Sequence, residues 1–357
     1  LKQSPRAWFD RFAKAMIQGG FKQSQADHTL FKKGDSNGKM TLLIVYVDDI
    51  IIIGNNEKEI KELKGNLTKE FETKDLGTMR YFLGMEVARS KEGLVINQRK
   101  YVLDLLTETG MLGCKPIETP MDPTLKFSKE KNENPTNKET YQKLVGKLIY
   151  LSLTRPDIAY SVSVVSQYMS DPKEEHMEAV KRILRFLKFT PGAGLIFRKN
   201  QDRSVKIYTD ASWAGELTDR RSVSGYCSYV WGNLVTWRSK KQAVVSRSSA
   251  ESEYRAMALG ICEGIWIKKL LTELELESEG DKSFEIFSDS QSAISIAKNP
   301  VQHDRTKHIE IDRHFIHEKV NSGVANLQYV STKKQMADIF TKALPRVTFD
   351  ELSLIHI

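Results

Sequence analysis

Two sets of carboxylates stand where carboxylates are costly to keep. In TLLIVYVDDIIIIG, residues 41–54, Asp48 and Asp49 follow six apolar residues and precede four. Burying ionised Asp is unfavourable unless something compensates the charge. A β-hairpin turn at this point would bring both groups to a cleft, where a divalent cation neutralises them. Mg²⁺ suits such a place, because it takes one or two protein carboxylates and completes its shell with water and phosphate oxygen. A plain turn is the competing explanation, since Asp is common in turns. A turn inside so apolar a run would more naturally use Asn-Gly or Asp-Gly.

The second set lies after residue 200. VKIYTDASWAG (205–215) reads as a strand ending at Asp210, and SRSSAESEYRAMALG (246–260) opens a helix carrying Glu251 and Glu253. FEIFSDSQSAI (284–294) runs from strand to helix with Asp289 at the junction. NLQYVS (326–331) is a strand, and KKQMADIFTKAL (333–344) reads as a helix with Asp338 in its first turn. Taken singly, Asp289, Asp338 and either glutamate read as helix-start acids that satisfy free N–H groups and the dipole. Asp210 resists that explanation, because it closes a core strand. As a set, acids on a strand, on the next helix, on a strand–helix junction and on a final helix can converge at one edge of a sheet. Four such groups repel and raise one another's pKa values unless cations sit among them. Two Mg²⁺ ions about 4 Å apart would relieve the repulsion, one activating a water and the other stabilising a leaving 3′ oxygen. Mn²⁺ is a possible substitute. Glu251 and Glu253 point about 200° apart on a helix, so only one of them can face the ions.

The 357 residues suggest two or three domains. With 28% charged and 40% hydrophobic residues, the chain is not a wholly disordered one. No apolar run reaches eighteen residues, so a membrane span is not expected. Residue 1 is Leu and no basic-then-apolar leader follows, which argues against secretion and for a segment of a longer reading frame. Cys114, Cys227 and Cys262 are far apart, which points to a reducing compartment and against a disulfide scaffold or cysteine zinc site. Fifty-four Lys plus Arg against 46 Asp plus Glu give +8, making a polyanionic partner plausible.

The elements that would carry the acids follow from periodicity. Trp8, Phe12 and Met16 make residues 1–25 an amphipathic helix running into Gly19-Gly20. Residues 41–54 form a hairpin, 57–71 a charged helix, 79–89 and 93–97 a strand pair, and 101–109 a short helix. FSKEKNENPTNKETY (127–141) reads as a linker. Residues 141–170 and 172–189 read as two helices, the second with Val180, Ile183, Leu184 and Leu187 on one face and Lys181, Arg185 and Lys188 on another. That basic face is either simply solvated or tracks phosphates. Past Gly194 the order is β, β, β, α, β, α, α, β, α. Arg220, Arg221, Arg238, Lys240, Lys241 and Arg247, with Trp213 and Trp237 interleaved, make a candidate nucleic-acid face with stacking surfaces. Core tryptophans and surface lysines are the alternative. His314 and His317, near His303 and His308, have zinc-like i, i+3 spacing without a further ligand pair, so a helix packed on the sheet is preferred.

YVDD, LKQSPRAW (1–8) and RYFLGMEV (80–87) resemble the reverse transcriptase of copia-type LTR retrotransposons. QRKYVLDLLTETGM (98–111) and YQKLVGKLIYLSLTRPDIAYSV (141–162) are similar to that family's thumb and connecting segments. The acids after residue 200 resemble the ribonuclease H pattern, in which EYRAM selects Glu253 over Glu251. The resemblance implies an α/β and α+β fold: a partial polymerase palm and thumb (1–125), a linker (126–140), a helical connection (141–200), a ribonuclease H-like mixed five-stranded sheet with flanking helices (201–345) and a tail (346–357). It implies Asp48 as palm metal ligand with Asp49 as its catalytic neighbour, and Asp210, Glu253, Asp289 and Asp338 as the hydrolase metal ligands. In the family an upstream palm aspartate precedes the LKQSPRAW segment, so polymerisation by these residues alone is not expected. The implied reaction is endonucleolytic hydrolysis of the RNA strand of an RNA–DNA hybrid, the 2′-OH marking that strand. The implied partners are that hybrid, template-primer and the rest of the Pol polyprotein, in a cytoplasmic virus-like particle or the nucleus. His308, in a segment similar to that between the third and fourth acids, would carry a proton during product release. The ending DELSLIHI departs from the family's usual one. A non-catalytic nucleic-acid-binding remnant is the alternative. An integrase or 3′-exonuclease of the same superfamily fits less well beside the palm-like segments.

Overall fold

A computed structural model describes the chain except residues 1–3, 126, 128–133, 216–218, 278–282, 300–309 and 354–357. It divides into two compact units, one of residues 1–82 with 266–282 and the other of residues 83–265 with 283–357.

In the first unit, α1 (Ser4–Gln18) buries Phe12 and Met16 at the spacing that predicted it, and ends at Gly19-Gly20. Strands β1 (Lys22–Gln23), β2 (Leu30–Gly34), β3 (Met40–Tyr46) and β4 (Asp49–Gly54) form an antiparallel sheet in that order. Along β3, Thr41, Leu43 and Val45 are buried in strict alternation, so one face reaches the core. Helix α2 (Glu57–Phe71) starts where the Asn56 side chain accepts from the Glu59 N–H at 3.2 Å. Its Leu63 and Leu67 pack with Phe12, Phe31 and Leu43. Strand β5 (Tyr81–Phe82) follows. Residues 266–282 belong here: Trp266 Nε1 donates to the Ala26 carbonyl at 3.0 Å, and Glu273 accepts from the Gln25 N–H at 3.0 Å.

In the second unit, β6 (Met85–Arg89) and β7 (Gly93–Asn97) form a hairpin, followed by α3 (Arg99–Glu108) and α4 (Lys138–Leu151). The expected single helix over 141–170 is two. A 3₁₀ turn, Pro156–Ile158, separates α4 from α5 (Ala159–Ser166). Pro156 has no N–H to continue the ladder, and it pushes Arg155 out of helical geometry, to φ −122° and ψ 75°. The fully buried Arg155 guanidinium is held by the Asp157 carboxylate at 2.8–3.0 Å and the Thr190 carbonyl at 2.7 Å. Helix α6 (Glu174–Phe189) buries Val180, Ile183, Leu184 and Leu187 as its periodicity requires. Strand β8 (Gly194–Arg198) then pairs antiparallel with β7, about a hundred residues upstream. Of the expected linker, residues 126 and 128–133 lie outside the described residues; Phe127 is buried against Tyr168 and His176.

The remaining strands are β9 (Val205–Ser212), β10 (Val223–Val230), β11 (Asn233–Lys241), β12 (Phe284–Ser288) and β13 (Ala325–Tyr329), with helices α7 (Ser249–Glu273), α8 (Gln291–Lys298) and α9 (Glu310–Asn321). The sheet order is β11-β10-β9-β12-β13, with β9, β10 and β11 antiparallel and β12 parallel to both β9 and β13. This is the mixed five-stranded, helix-flanked sheet that the resemblance implies. Trp231 and Gly232 turn β10 into β11 with φ of 53° and 74°, a turn whose twist matches the flanking strands. The segment KKQMADIFTKAL is not an α-helix. Gln335 is extended between two 3₁₀ turns, Thr332–Lys334 and Met336–Phe340, so no continuous helix forms. Helix α10 (Arg346–Leu352) follows and buries Phe349 and Leu352. One hydrophobic cluster runs through α3 to α6, Cys227 and Leu234 of the sheet, Ile339 and Phe340, and α10. Among the described residues, no helix is long and apolar enough to cross a membrane.

Candidate active site

Asp210 lies near the end of β9, the central strand, and is 3% exposed. Asp289 follows the last residue of β12, the strand parallel to β9. The cap of α8 is Ser290, whose hydroxyl accepts from the Ala293 N–H at 3.2 Å. Asp289 is therefore not committed to capping. Asp338 sits inside the second 3₁₀ turn, 5% exposed. Asp210, Asp289 and Asp338 each offer a carboxylate oxygen within 4.8 Å of the other two.

The two glutamates of α7 divide as helical geometry demands. Glu251 accepts from the Arg247 N–H at 2.8 Å and from Arg255 Nη2 at 3.0 Å, a local structural network. Glu253 turns to the sheet, where its Oε1 accepts from the N–H of Ala211, the neighbour of Asp210, at 3.2 Å. Its Oε2 is buried with no hydrogen-bond partner among the described residues.

Burial and mutual repulsion leave the set strained in charge. Burial first, and then the charges of Asp210 and Asp289, push the Glu253 carboxyl up to about 9. Burial and Asp210 push Asp338 up to about 7. Asp210 is raised by burial too, against the opposing pull of the Lys342 ammonium and the Thr341 hydroxyl.

Four residues that the sequence did not single out hold this arrangement. Lys342 Nζ lies 2.9 Å from Asp338 Oδ1 and 3.7 Å from Asp210 Oδ2. Burial presses its pKa down, but the carboxylates of Asp210 and Asp338 hold it above the ordinary lysine value. The Thr341 hydroxyl donates to Asp210 Oδ2, and Thr332 Oγ1 donates to Asp289 Oδ2 at 2.8 Å. Gln335, fully buried, donates from Nε2 to the Thr209 carbonyl at 3.0 Å and accepts on Oε1 from the Ala337 N–H at 3.2 Å. Its amide thus ties the residue before Asp210 to the residue before Asp338. The spacing of Lys342 four residues after Asp338 was visible in the sequence; the other three contacts are tertiary and left no local signal.

An all-oxygen donor set with three converging carboxylates and an unpartnered buried glutamate oxygen fits a hard divalent cation such as Mg²⁺ or Mn²⁺. The repulsion among the carboxylates, which Lys342 and Thr341 offset only in part, suits the same kind of ion.

Asp48 and Asp49 are at the tip of the β3–β4 hairpin, as the sequence predicted, after Val47 in the left-handed region at φ 52°. Both are exposed, so the desolvation argument for a cation at this pair does not apply. Among the described residues, no third metal-ligating side chain joins them within cluster distance.

The basic residues also divide. Arg185 Nε donates to the Lys115 carbonyl at 2.9 Å and Lys188 Nζ to the Leu112 carbonyl at 2.5 Å, so both tie down a loop. Lys181 pairs with Glu178 at 2.7 Å. Arg221 lies 3.7 Å and Lys241 3.0 Å from Asp219. Arg238 and Lys240 alternate on one exposed side of β11. Trp213 is 52% exposed with Nε1 donating to the Ser246 carbonyl, whereas Trp237 is partly buried and donates to Ser152. Of the two, Trp213 offers the open ring. His314 and His317 lie on α9; His303 and His308 fall outside the described residues.

A family model described as reverse transcriptase (RNA-dependent DNA polymerase) matches residues 1–123. The chain is 42% identical over 355 residues to the retrovirus-related Pol polyprotein from transposon RE1 of Arabidopsis thaliana, covering 99% of this chain and 24% of that protein. It is 30% identical over 257 residues to the putative transposon Ty5-1 protein of Saccharomyces cerevisiae, covering 71% of this chain and 83% of that one. The chain belongs to the copia-type retrotransposon Pol family, and it spans about a quarter of the length of the RE1 polyprotein. Among solved structures, the foamy viral protease-reverse transcriptase in complex with dsDNA is similar over 93% of this chain and 59% of that one, with a TM-score of 0.48 and 12% identity.

Proposed function

We propose that residues 201–345 hydrolyse the RNA strand of RNA–DNA hybrids endonucleolytically, with Asp210, Glu253, Asp289 and Asp338 as the ligands of two Mg²⁺ ions, Mn²⁺ substituting. The observation that carries this reading is the gathering of three carboxylates within 4.8 Å beside the orphaned oxygen of Glu253. Bound there, the ions supply an activated water and charge stabilisation for the leaving 3′ oxygen. The chain's own residues do the rest. The Thr341 hydroxyl and the Gln335 amide fix Asp210 and Asp338 relative to each other. Glu253 holds a proton on its carboxyl in the metal-free protein and gives it up when the site is charged. Arg238 and Lys240 meet phosphates, and the Trp213 ring stacks on a sugar or base. The products are 3′-hydroxyl and 5′-phosphate ends.

The parent polyprotein would polymerise DNA on template-primer through the palm that includes Asp48 and Asp49, inside a virus-like particle or the nucleus. The 357-residue chain itself extends no primer, because that pair lacks a third carboxylate among the described residues. Cleavage of an end-labelled hybrid by this chain, set beside Asp210→Asn, tests the hydrolase. Loss of cleavage in the variant of at least about a hundredfold is expected. Equal cleavage by both would refute the role of this carboxylate site, and none by either leaves a non-catalytic nucleic-acid-binding remnant. Primer extension with Mg²⁺ or Mn²⁺ tests the polymerase statement, and processive products would refute it.

A further inference from the structure

We propose that Lys342 is an internal counter-cation: its ammonium occupies the carboxylate site of the ion-free protein and withdraws when divalent cations arrive. This rests on the metal-dependent reading above and adds a competitor to it. The ammonium stands 2.9 Å from Asp338 Oδ1 and 3.7 Å from Asp210 Oδ2, against two of the three acids that form the cluster. The backbone sets this position. The Lys342 N–H donates to the Asp338 carbonyl at 3.2 Å at the end of the 3₁₀ turn, so the side chain starts beside the acids.

Charge explains why an ammonium belongs there and why it must leave. Asp210, Asp289 and Asp338 face one another with Glu253 behind, and Lys342 is the cation within ion-pair distance of Asp210 and Asp338 among the described residues. One positive charge offsets part of the repulsion and lets the fold close around the acids. A divalent ion offsets more. The two cannot share the same oxygens, because unit charges about 4 Å apart in a protein site interact by several kcal/mol. The lysine stem has four flexible carbons, and its side chain is 40% exposed, so the ammonium has water to withdraw into. Lys342 therefore lowers the affinity of the empty site for metal while it stabilises the metal-free fold.

The test is Mn²⁺ binding to the full chain, read by electron paramagnetic resonance, together with melting temperature in EDTA and in Mn²⁺. Lys342→Met should bind Mn²⁺ at least about threefold more tightly than the native chain. It should melt lower in EDTA and gain more on adding Mn²⁺. Lys342→Arg, which keeps the charge, should stay near the native chain in both measurements. Lys342→Gln replaces the Met variant if the latter lacks a native circular dichroism spectrum. Unchanged or weaker Mn²⁺ binding in the neutral variants, with binding lost in Asp210→Asn, overturns the role of Lys342 and leaves the hydrolase site standing. Native-chain binding no stronger than that of Asp210→Asn overturns the metal site, and the counter-cation with it.

Discussion

Gly225 lies directly opposite Asp210 across the β9–β10 ladder, and the space a side chain would take there belongs to the turn that carries Asp338. A Cβ at residue 225 would come 2.6 Å from Thr341 Cγ2 and 2.8 Å from Phe340 Cβ. Gly225→Ala must therefore move the 3₁₀ turn off the sheet, because backbone and branched side-chain atoms there have little freedom to yield. Hydrolysis should fall about tenfold to a hundredfold, since small displacements of reacting groups are costly. Stability should drop by about 1–3 kcal/mol, as for overpacked cores. Steady-state cleavage and urea unfolding check the two; native rates from a folded variant would show that the close approach is unnecessary.

Gln335→Leu removes both ends of the buried amide bridge and strands the Thr209 carbonyl and the Ala337 N–H. Unpaired buried groups of this kind cost about 1–3 kcal/mol. As a positioning residue, Gln335 should affect kcat while KM for hybrid stays near the native value. A change confined to KM would place it in substrate contact instead.

The two glutamates of α7 make an internal control. Glu253→Gln should abolish cleavage and weaken Mn²⁺ binding if, as proposed, its carboxylate completes the site. Glu251→Gln should retain most activity and lose stability, because Glu251 accepts from the Arg247 N–H and from Arg255. Equal losses of activity in the two variants would contradict the assignment.

Metal-free stability should decline with rising pH. Glu253 and Asp338 are held above their ordinary values of 4.5 and 3.8, at about 9 and about 7. A group whose folded pKa is raised stabilises the fold fully below its unfolded value and loses that contribution as pH rises through the folded value. The melting temperature in EDTA should thus fall between about pH 4 and about pH 9, with Glu253→Gln removing the upper part of the slope. Mg²⁺ should flatten the curve. A melting temperature that rises over this interval would mean the carboxyls are not held protonated.

Salt dependence should separate basic residues that hold the fold from those that meet nucleic acid. Replacing Arg238 and Lys240 by Ala should weaken hybrid binding and reduce the log–log salt slope by about 1 each. Replacing Arg185 or Lys188 should lower the melting temperature, because both are engaged by carbonyls of the 112–115 loop. Filter binding across a salt series distinguishes these outcomes, and a flat slope in the native chain would remove the electrostatic face altogether.

Much of the scaffold was legible because its signals are local. Phe12 and Met16, Leu43 and Val45, and Ile183 and Leu187 sit at helical or strand periods and are buried accordingly. The acids of the sheet edge were legible for a related reason: a carboxylate at the end of an apolar strand must be answered by something. What escaped was set by distant contacts. No local pattern says that β8 will pair with β7, that Phe127 will leave a polar stretch to pack on His176, or that Gln335 will break a helix-like sequence to reach Thr209. Arg185 and Lys188 were ambiguous because the same spacing serves solvent, phosphate or a neighbouring carbonyl.

The apolar cluster joining α3 to α6, the inner face of β10 and β11, and Phe349 and Leu352 of α10 bears on how this polypeptide can evolve. A nuclease with its own sealed interior can be copied, swapped or lost as a module. Here the five-stranded sheet shares its apolar interior with the preceding helices and with the final one, so a cut between residues 200 and 201 would leave apolar surface bare on both pieces.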